Sequence, residues 1–395
     1  MAASSSTFSQ HESDECNTNT EYRESTDVDT PPALQLPSDG KSMRFLDICR
    51  LRDLDIVSLV SVLVVWGVLH DFSGPCDKYR PNLGRTCGGT VKLETVGSRP
   101  QTRYPCSACK KSTPLFFNSF FSKSKANLVD LVGIIYMFVR GYSYTCIQYE
   151  LGVGTHTVVD WLNYCRDICS IMVNSQTGQL GGEGIIVEID ESKFGKRKYN
   201  RGRAVEGAWV FGAVEHLGTD KERKTGRCRL HIVTDRNKIT LLDYIKKWVR
   251  PGSTIHSDCF SSYKCLEGEG FVHRTVNHKE TYSKFDVEAN DNVHANSIEG
   301  LWKLVKQEVP CEGRSRKLLQ SHLDAFCYRR DLFNTPSDPF LNFLSAIASI
   351  YRKDGVAMPE EEDRSGDADN DEVWVFDDDP PEVEVEVPLV QGIAL

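Results

Sequence analysis

Between residues 183 and 350 the chain alternates short apolar runs with amphipathic ones, and this order limits the fold more than any other feature. Ile185–Asp190, Ala208–Glu215 and Cys228–Thr234 have the length and β-branched content of strands. A helical stretch over Thr240–Val249 follows, then strands over Thr254–Ser257, ending beside Asp258, and near Phe271–Val276, and a helix from about His294 to Gln307. Three strands, then helix, strand, helix, strand and helix predict an α/β domain with a mixed sheet flanked by helices.

Upstream, residues 43–122 open with an apolar run, Ile56 to Leu69, edged by Asp53, Asp55 and Asp71. Its 14 residues fall short of the roughly 20 a bilayer core needs, so a buried helix is predicted rather than a membrane span. A Gly, Pro and Cys-rich stretch with β-like runs such as Thr90–Glu94 follows. Residues 123–175 read helical: Asn127–Arg140 and Thr155–Arg166 carry apolar residues at helical spacing around a Gly-containing turn at 152–154. Short helices about a Gly turn suit a helix-turn-helix, although helix pairs of this kind more often only pack.

With 395 residues, 40% of them hydrophobic, the chain can build one large domain or two modest ones. Its net charge of -9 hides a segregation: residues 1–40 carry a net -7 and residues 355–395 a net -13, leaving +11 on the body between them. A basic body favours a polyanionic partner, and the acidic ends, 1–42 and 355–395, read as disordered tails able to mask a basic surface. A Val-Trp-Val-Phe patch at 373–376 reads as a short docking motif or as plain tail. The N-terminus lacks a basic and an apolar segment of the secretory kind, so the 14 cysteines are expected in a reducing compartment, buried, metal-bound or incidental.

Cys106 and Cys109 form a CxxC knuckle, preceded by Cys87 and, eleven positions earlier, by Cys76. Two thiolate pairs flanking a short hairpin suit a tetrahedral Zn²⁺, which takes four soft ligands. A structural zinc ribbon is the first reading; a partial site with one cysteine free, or a redox pair, are the others. Cys165 and Cys169 read as buried apolar residues.

Three carboxylates stand out. Asp190 and Asp258 close apolar strands, and Glu299 lies on a helix whose apolar face is Ile298, Leu301, Trp302 and Val305. Each alone suits a cap or solvated turn. Together, in this strand and helix order, they can converge on a pair of Mg²⁺ ions, which take oxygen ligands and serve phosphoryl transfer. Lys193, Lys196, Arg197, Lys198, Arg201 and Arg203 follow Asp190 in a basic loop, either a guide for a phosphate backbone or an exposed hairpin tip.

The stretches IleAspGluSerLysPheGlyLysArgLysTyrAsnArgGlyArg at 189–203, TrpValPheGlyAlaValGlu at 209–215, HisSerAspCysPheSerSerTyr at 256–263 and HisAlaAsnSerIleGluGlyLeuTrp at 294–302 also carry a resemblance. In this order they closely resemble the Merlin superfamily of DDE transposases, eukaryotic relatives of a group of bacterial insertion-sequence transposases. The resemblance runs over about 65–340 and is strongest over 184–305. It implies an RNase H-like catalytic domain at 183–350, a zinc ribbon within 43–122 and a helical DNA-binding segment at 123–175. It further implies a nuclear, Mg²⁺-dependent (or Mn²⁺-dependent) cut-and-paste reaction on double-stranded DNA, at element ends and target site, by a homo-oligomer in a paired-end complex. By motif the catalytic acids fall on Asp190, Asp258 and Glu299, with Asn296, one helical turn before Glu299, as a supporting group. The chain departs from the family in the ten residues between Cys76 and Cys87 and in its acidic tails. A domesticated DNA-binding or chromatin-associated regulator that keeps the fold, and a plain RNase H-like nuclease, are the alternative functions.

Overall fold

Asp55 starts the helix that the apolar run predicts: its carboxylate accepts the backbone N–H groups of Val57 and Ser58, satisfying two donors of the first turn. This helix, α2 (Ile56–Val65), follows α1 (Phe45–Cys49) and buries Leu59, Val60, Val62 and Leu63. No helix among the described residues is long and apolar enough to cross a membrane. The computed structural model describes residues 42–96, 101–122, 124–175, 179–195, 207–217, 224–276, 284–286, 291–293, 296–309 and 316–354. Apart from Ser42, both expected tails, with the 373–376 patch, lie outside them.

The cysteine-rich stretch folds into short hairpins. β1 (Gly74–Pro75) pairs with β4 (Thr90–Val91), β2 (Tyr79–Arg80) with β3 (Arg85–Thr86), and β5 (Glu94–Val96), β6 (Gln101–Pro105) and β7 (Ser112–Pro114) form a three-stranded sheet. The β-like run at 90–94 is thus split between β4 and β5 rather than forming one strand.

Helix α3 (Leu128–Val139), capped by the Asn127 side chain on the Val129 N–H, is buried on every side except at Asp130. A helix apolar all round belongs to a core, so α3 has little free surface for a ligand. The helices about the Gly turn are α4 (Tyr144–Leu151), ended by left-handed Gly152, and α5 (Thr155–Ser175), whose 21 residues exceed the short helix expected. α3 and α5 pack with α2 and with α9 (Pro339–Ile350) in one hydrophobic core. Asp338 holds this core's edge together. Its Oδ1 caps α9 at Phe340 and Leu341, while Oδ2 accepts the Met43 N–H at 2.9 Å and lies 3.2 Å from Arg140 Nη2. The last helix of the segment expected at 183–350 therefore packs with residues far upstream.

The second half builds a five-stranded mixed sheet. β8 (Ile186–Phe194), β9 (Ala208–Leu217) and β10 (Lys224–Val233) run antiparallel; β11 (Thr254–Asp258) and β12 (Val272–Val276) join β8 in parallel, giving the order β10-β9-β8-β11-β12. Both faces of β8 are covered: Val187 and Ile189 pack toward α6 (Lys238–Trp248), Phe194 toward α7 (Asn296–Glu308) and α8 (Arg316–Phe333). Between β11 and β12 the expected helix is reduced to two 3₁₀ turns, Ser261–Tyr263 and Glu267–Glu269. A further hairpin, β13 (Lys284–Asp286) with β14 (Asp291–Val293), was not foreseen. α8 joins the two halves, placing Leu319, Leu323 and Cys327 in the sheet's core and Ala325, Tyr328 and Leu332 in the helical one. Its Gln320 accepts the Ile232 N–H and donates to the Leu230 carbonyl, so a side-chain amide covers the edge of β10 where another strand would pair.

Candidate active site and metal centre

Asp190 lies fifth of nine residues in β8. It does not end the strand, as the apolar run suggested, because Glu191 to Phe194 continue the ladder with β9. Strands β8 and β11 register as Ile186 with Thr254 through Glu188 with His256, and Asp190 and Asp258 each lie two residues beyond the last of these pairs. Asp258 ends β11, its Oδ1 accepting the Phe260 N–H at 2.9 Å. Glu299 occupies the first turn of α7, exposed, and half-buried Asn296 begins that helix.

Burial raises the Asp190 pKa to about 6; a bond from Trp302 opposes this, and the negative charges of Asp258 and Glu299 add to the rise. The three carboxylates therefore act on one another's charge, but among the described residues they do not gather into a close ligand set as the four cysteines do. The neighbouring Glu191, which the sequence reading passed over, is pushed up to about 8 by burial and then by Asp190 and Asp258. It accepts a hydrogen bond from the Tyr263 hydroxyl.

Three further residues set this geometry. Glu188 is fully buried and its Oε2 accepts the N–H groups of Ser297 at 2.8 Å and Ile298 at 3.0 Å, a helix cap supplied by a strand more than a hundred residues away. It fastens the start of α7, and with it Glu299, to β8. Trp302 donates its indole N–H to Asp190 Oδ2 at 3.0 Å. Gly212, the register partner of Asp190 on β9, leaves room for that indole: a Cβ there would stand 2.6 Å from the ring. The one legible hint was Trp302 on the apolar face of its helix; a cap formed in tertiary structure leaves no local pattern.

Of the basic loop, Lys193 is part of β8, paired with Trp209, its Nζ 5.7 Å from the centre of the Trp209 ring. Lys196, Arg197, Lys198, Arg201 and Arg203 lie outside the described residues. Arg236 stacks on the same indole, 3.7 Å from its centre.

The sulfur centre is formed by Cys76, Cys87, Cys106 and Cys109, whose Sγ atoms all lie within 4.8 Å of one another. Among the described residues it is the one group of three or more potential metal ligands gathered this closely. The wide Cys76–Cys87 spacing is taken up by a hairpin. Cys76 N–H donates to Gly89 O, Gly88 N–H to Cys76 O and Cys87 N–H to Lys78 O, so the two thiols meet at its base. Cys76 Sγ lies 3.9 Å from Cys109 Sγ, and Cys87 Sγ 3.7 Å from Cys106 Sγ. Four thiolates about 2.3 Å from a tetrahedral zinc stand about 3.8 Å apart, so this set could hold a metal such as zinc. Backbone N–H groups, first that of Cys109, lower the Cys106 pKa, whereas Cys76, despite an N–H from Lys78, is raised by burial and by the three neighbouring thiols. Gly89 permits the fold of the knuckle, since a Cβ there would lie 2.7 Å from Cys106 Sγ.

Residues 179–331 match the ISXO2-like transposase domain. An uncharacterized transposase-like protein of Haemophilus influenzae is 28% identical over 85 residues, 21% of this chain and 64% of that relative's length. Both similarities support a transposase family.

Proposed function

We propose that the chain is a DNA transposase of the DDE type, its sheet domain RNase H-like, which binds the terminal repeats of an element and carries out divalent-metal-dependent strand cleavage and transfer. The observation that carries this reading is the electrostatic neighbourhood shared by Asp190, Asp258 and Glu299, brought from a central strand, its parallel neighbour and a later helix. Three antiparallel strands followed by two parallel ones, with the first acid on the middle strand, support the fold assignment.

Asp190, Asp258 and Glu299 would hold a pair of Mg²⁺ (or Mn²⁺) ions, with Asn296 in support; a concentration of negative charge with a buried member suits cations of that class. When bound, such ions lower the pKa of an attacking water and stabilise the leaving oxygen. The chain's own part is positioning. Trp302 fixes the Asp190 carboxylate, Glu188 fixes the helix bearing Glu299, and Lys193 with Lys196, Arg197, Lys198, Arg201 and Arg203 draws the phosphate backbone to the acids. Zn²⁺ on the four cysteines would hold the ribbon folded, and the ribbon with α4 and α5 of the segment at 123–175 would hold double-stranded DNA at the element ends. The setting is a nuclear paired-end complex of at least two copies.

The test is cleavage and strand transfer on DNA bearing the matching terminal repeats, in Mg²⁺ and without it. Asp190→Asn is expected to lower cleavage by at least about 10³-fold while DNA affinity stays within about twofold, since stabilisation of this kind is worth several kcal/mol. Equal cleavage by the variant overturns the assignment. DNA binding by the wild type with no cleavage in either metal favours a domesticated regulator.

A further inference from the structure

The ten residues between Cys76 and Cys87 are unlike the rest of the ribbon. They form a narrow hairpin, β2 and β3 joined by a 3₁₀ turn over Pro81–Leu83 and left-handed Gly84, standing directly on two of the four sulfur ligands. Its register sets Arg80 opposite Arg85 and Tyr79 opposite Thr86. Like charges facing each other across an antiparallel pair destabilise it. Lys78 adds a third cation, and the single acid of the segment is Asp77, at the base. Among the described residues no carboxylate forms an ion pair with Lys78, Arg80 or Arg85. Tyr79 is 60% exposed, on the opposite face of the hairpin from the two arginines. Local stability would choose an acid opposite one arginine; a local conflict of this kind marks a site shaped by its ligand.

We infer that this hairpin is a finger that grips double-stranded DNA, with Arg80 and Arg85 on neighbouring phosphates and Tyr79 packed against the sugar-phosphate edge. Two-stranded ribbons fit a DNA groove, and a polyanion cancels the repulsion between the facing arginines. The inference rests on the proposed action on DNA and adds a contact that the four sulfurs hold in place.

The test measures binding of the full-length, metal-loaded protein to a labelled DNA duplex by fluorescence anisotropy over a series of KCl concentrations. Each phosphate contact adds about 0.9 to the slope of log K against log salt, so Arg80→Ala with Arg85→Ala should reduce its magnitude by about 1.8 and weaken binding on the order of 10- to 100-fold at 0.1 M KCl. Arg85→Ala alone, at an exposed position, should give about half the slope change and guards against misfolding of the double variant. Bound metal, counted by atomic absorption, should stay at the wild-type level in both. Unchanged affinity and slope in metal-loaded variants overturn the finger while leaving the transposase reading intact. Tighter binding, as a finger that holds an acidic tail would give, overturns it as well. Failure of the wild type to bind any duplex removes the functional reading on which the finger rests.

Discussion

The sulfur centre and the carboxylate centre are built by opposite means. Cys76 and Cys109 are 33 residues apart, and the hairpins that bring the four thiols together are short backbone ladders that reach the main core through Tyr104 and the partly buried Phe72, Val91 and Leu93. Asp190 and its indole partner Trp302 are 112 residues apart, and both are held by a sheet and helices with buried cores on two faces. The sulfur set offers four soft ligands and no open position, whereas the acids include an exposed member, Glu299. The difference teaches where each metal would act: at the cysteines it would tie short hairpins together, and at the acids it finds a scaffold held by its own cores.

The strongest way to break this contrast is to remove a sulfur ligand. Metal affinity at a closed thiolate site is folding free energy, about 10–16 kcal/mol in zinc-finger peptides. Cys106→Ser, or a strong chelator, is expected to abolish amide protection over residues 74–114 in hydrogen-exchange mass spectrometry, while protection of β8 to β11 is kept. A ribbon that stays protected without metal would show that the hairpins stand on their own packing.

The next effect concerns protons at the acid centre. The Asp190 pKa is raised by burial to about 6 in the folded state from 3.8, so between those values the folded protein binds more protons than the unfolded one. Stability from this group is therefore greatest below pH 3.8 and is lost as pH rises to about 6, a change of about 3 kcal/mol at most. Asp190→Asn should melt at a higher temperature than the metal-free wild type at pH 7, with little difference at pH 4. Mg²⁺ should raise the wild-type melting temperature at pH 7 and leave the variant unmoved. If both respond alike to Mg²⁺, the ion binds elsewhere.

How much of each centre was legible follows from the same contrast. The CxxC knuckle and the strand order could be read because spacing and periodicity are local; so could Asp190, Asp258 and Glu299 as candidates, each marked by a neighbouring apolar run. What could not be read depends on contacts between distant elements. Glu188 looked like any strand residue, yet it is buried and caps α7. Nothing local marks Gly212, yet it is the space an indole occupies. The wide Cys76–Cys87 spacing looked like damage to the site because a hairpin of that length closes only through its ladder, which spacing does not reveal. The extension of β8 past Asp190 was hidden because Glu191, Ser192 and Lys193 are polar, and their strand conformation is imposed by pairing with β9.

The smallest effect is the sharpest probe of the preformed acid centre. The indole N–H of Trp302 favours the ionised form of Asp190 and so opposes the rise that burial causes. Trp302→Phe keeps an aromatic side chain above Gly212 but removes that donor. A hydrogen bond to a charged group is worth about 1.5–3 kcal/mol, so its loss should move the Asp190 titration upward by about one pH unit or somewhat more. At sub-saturating Mg²⁺, where protons compete with the metal for the ionised carboxylate, the acid limb of cleavage against pH moves the same way: the variant falls behind the wild type near pH 6 and approaches it above pH 8. Because β8 still carries Asp190 when the indole bond is lost, most of the high-pH rate should survive. A uniform drop at every pH, with the acid limb unmoved, would mean that Trp302 serves the site by holding α7 in place and that its bond to Asp190 has no part in setting the charge.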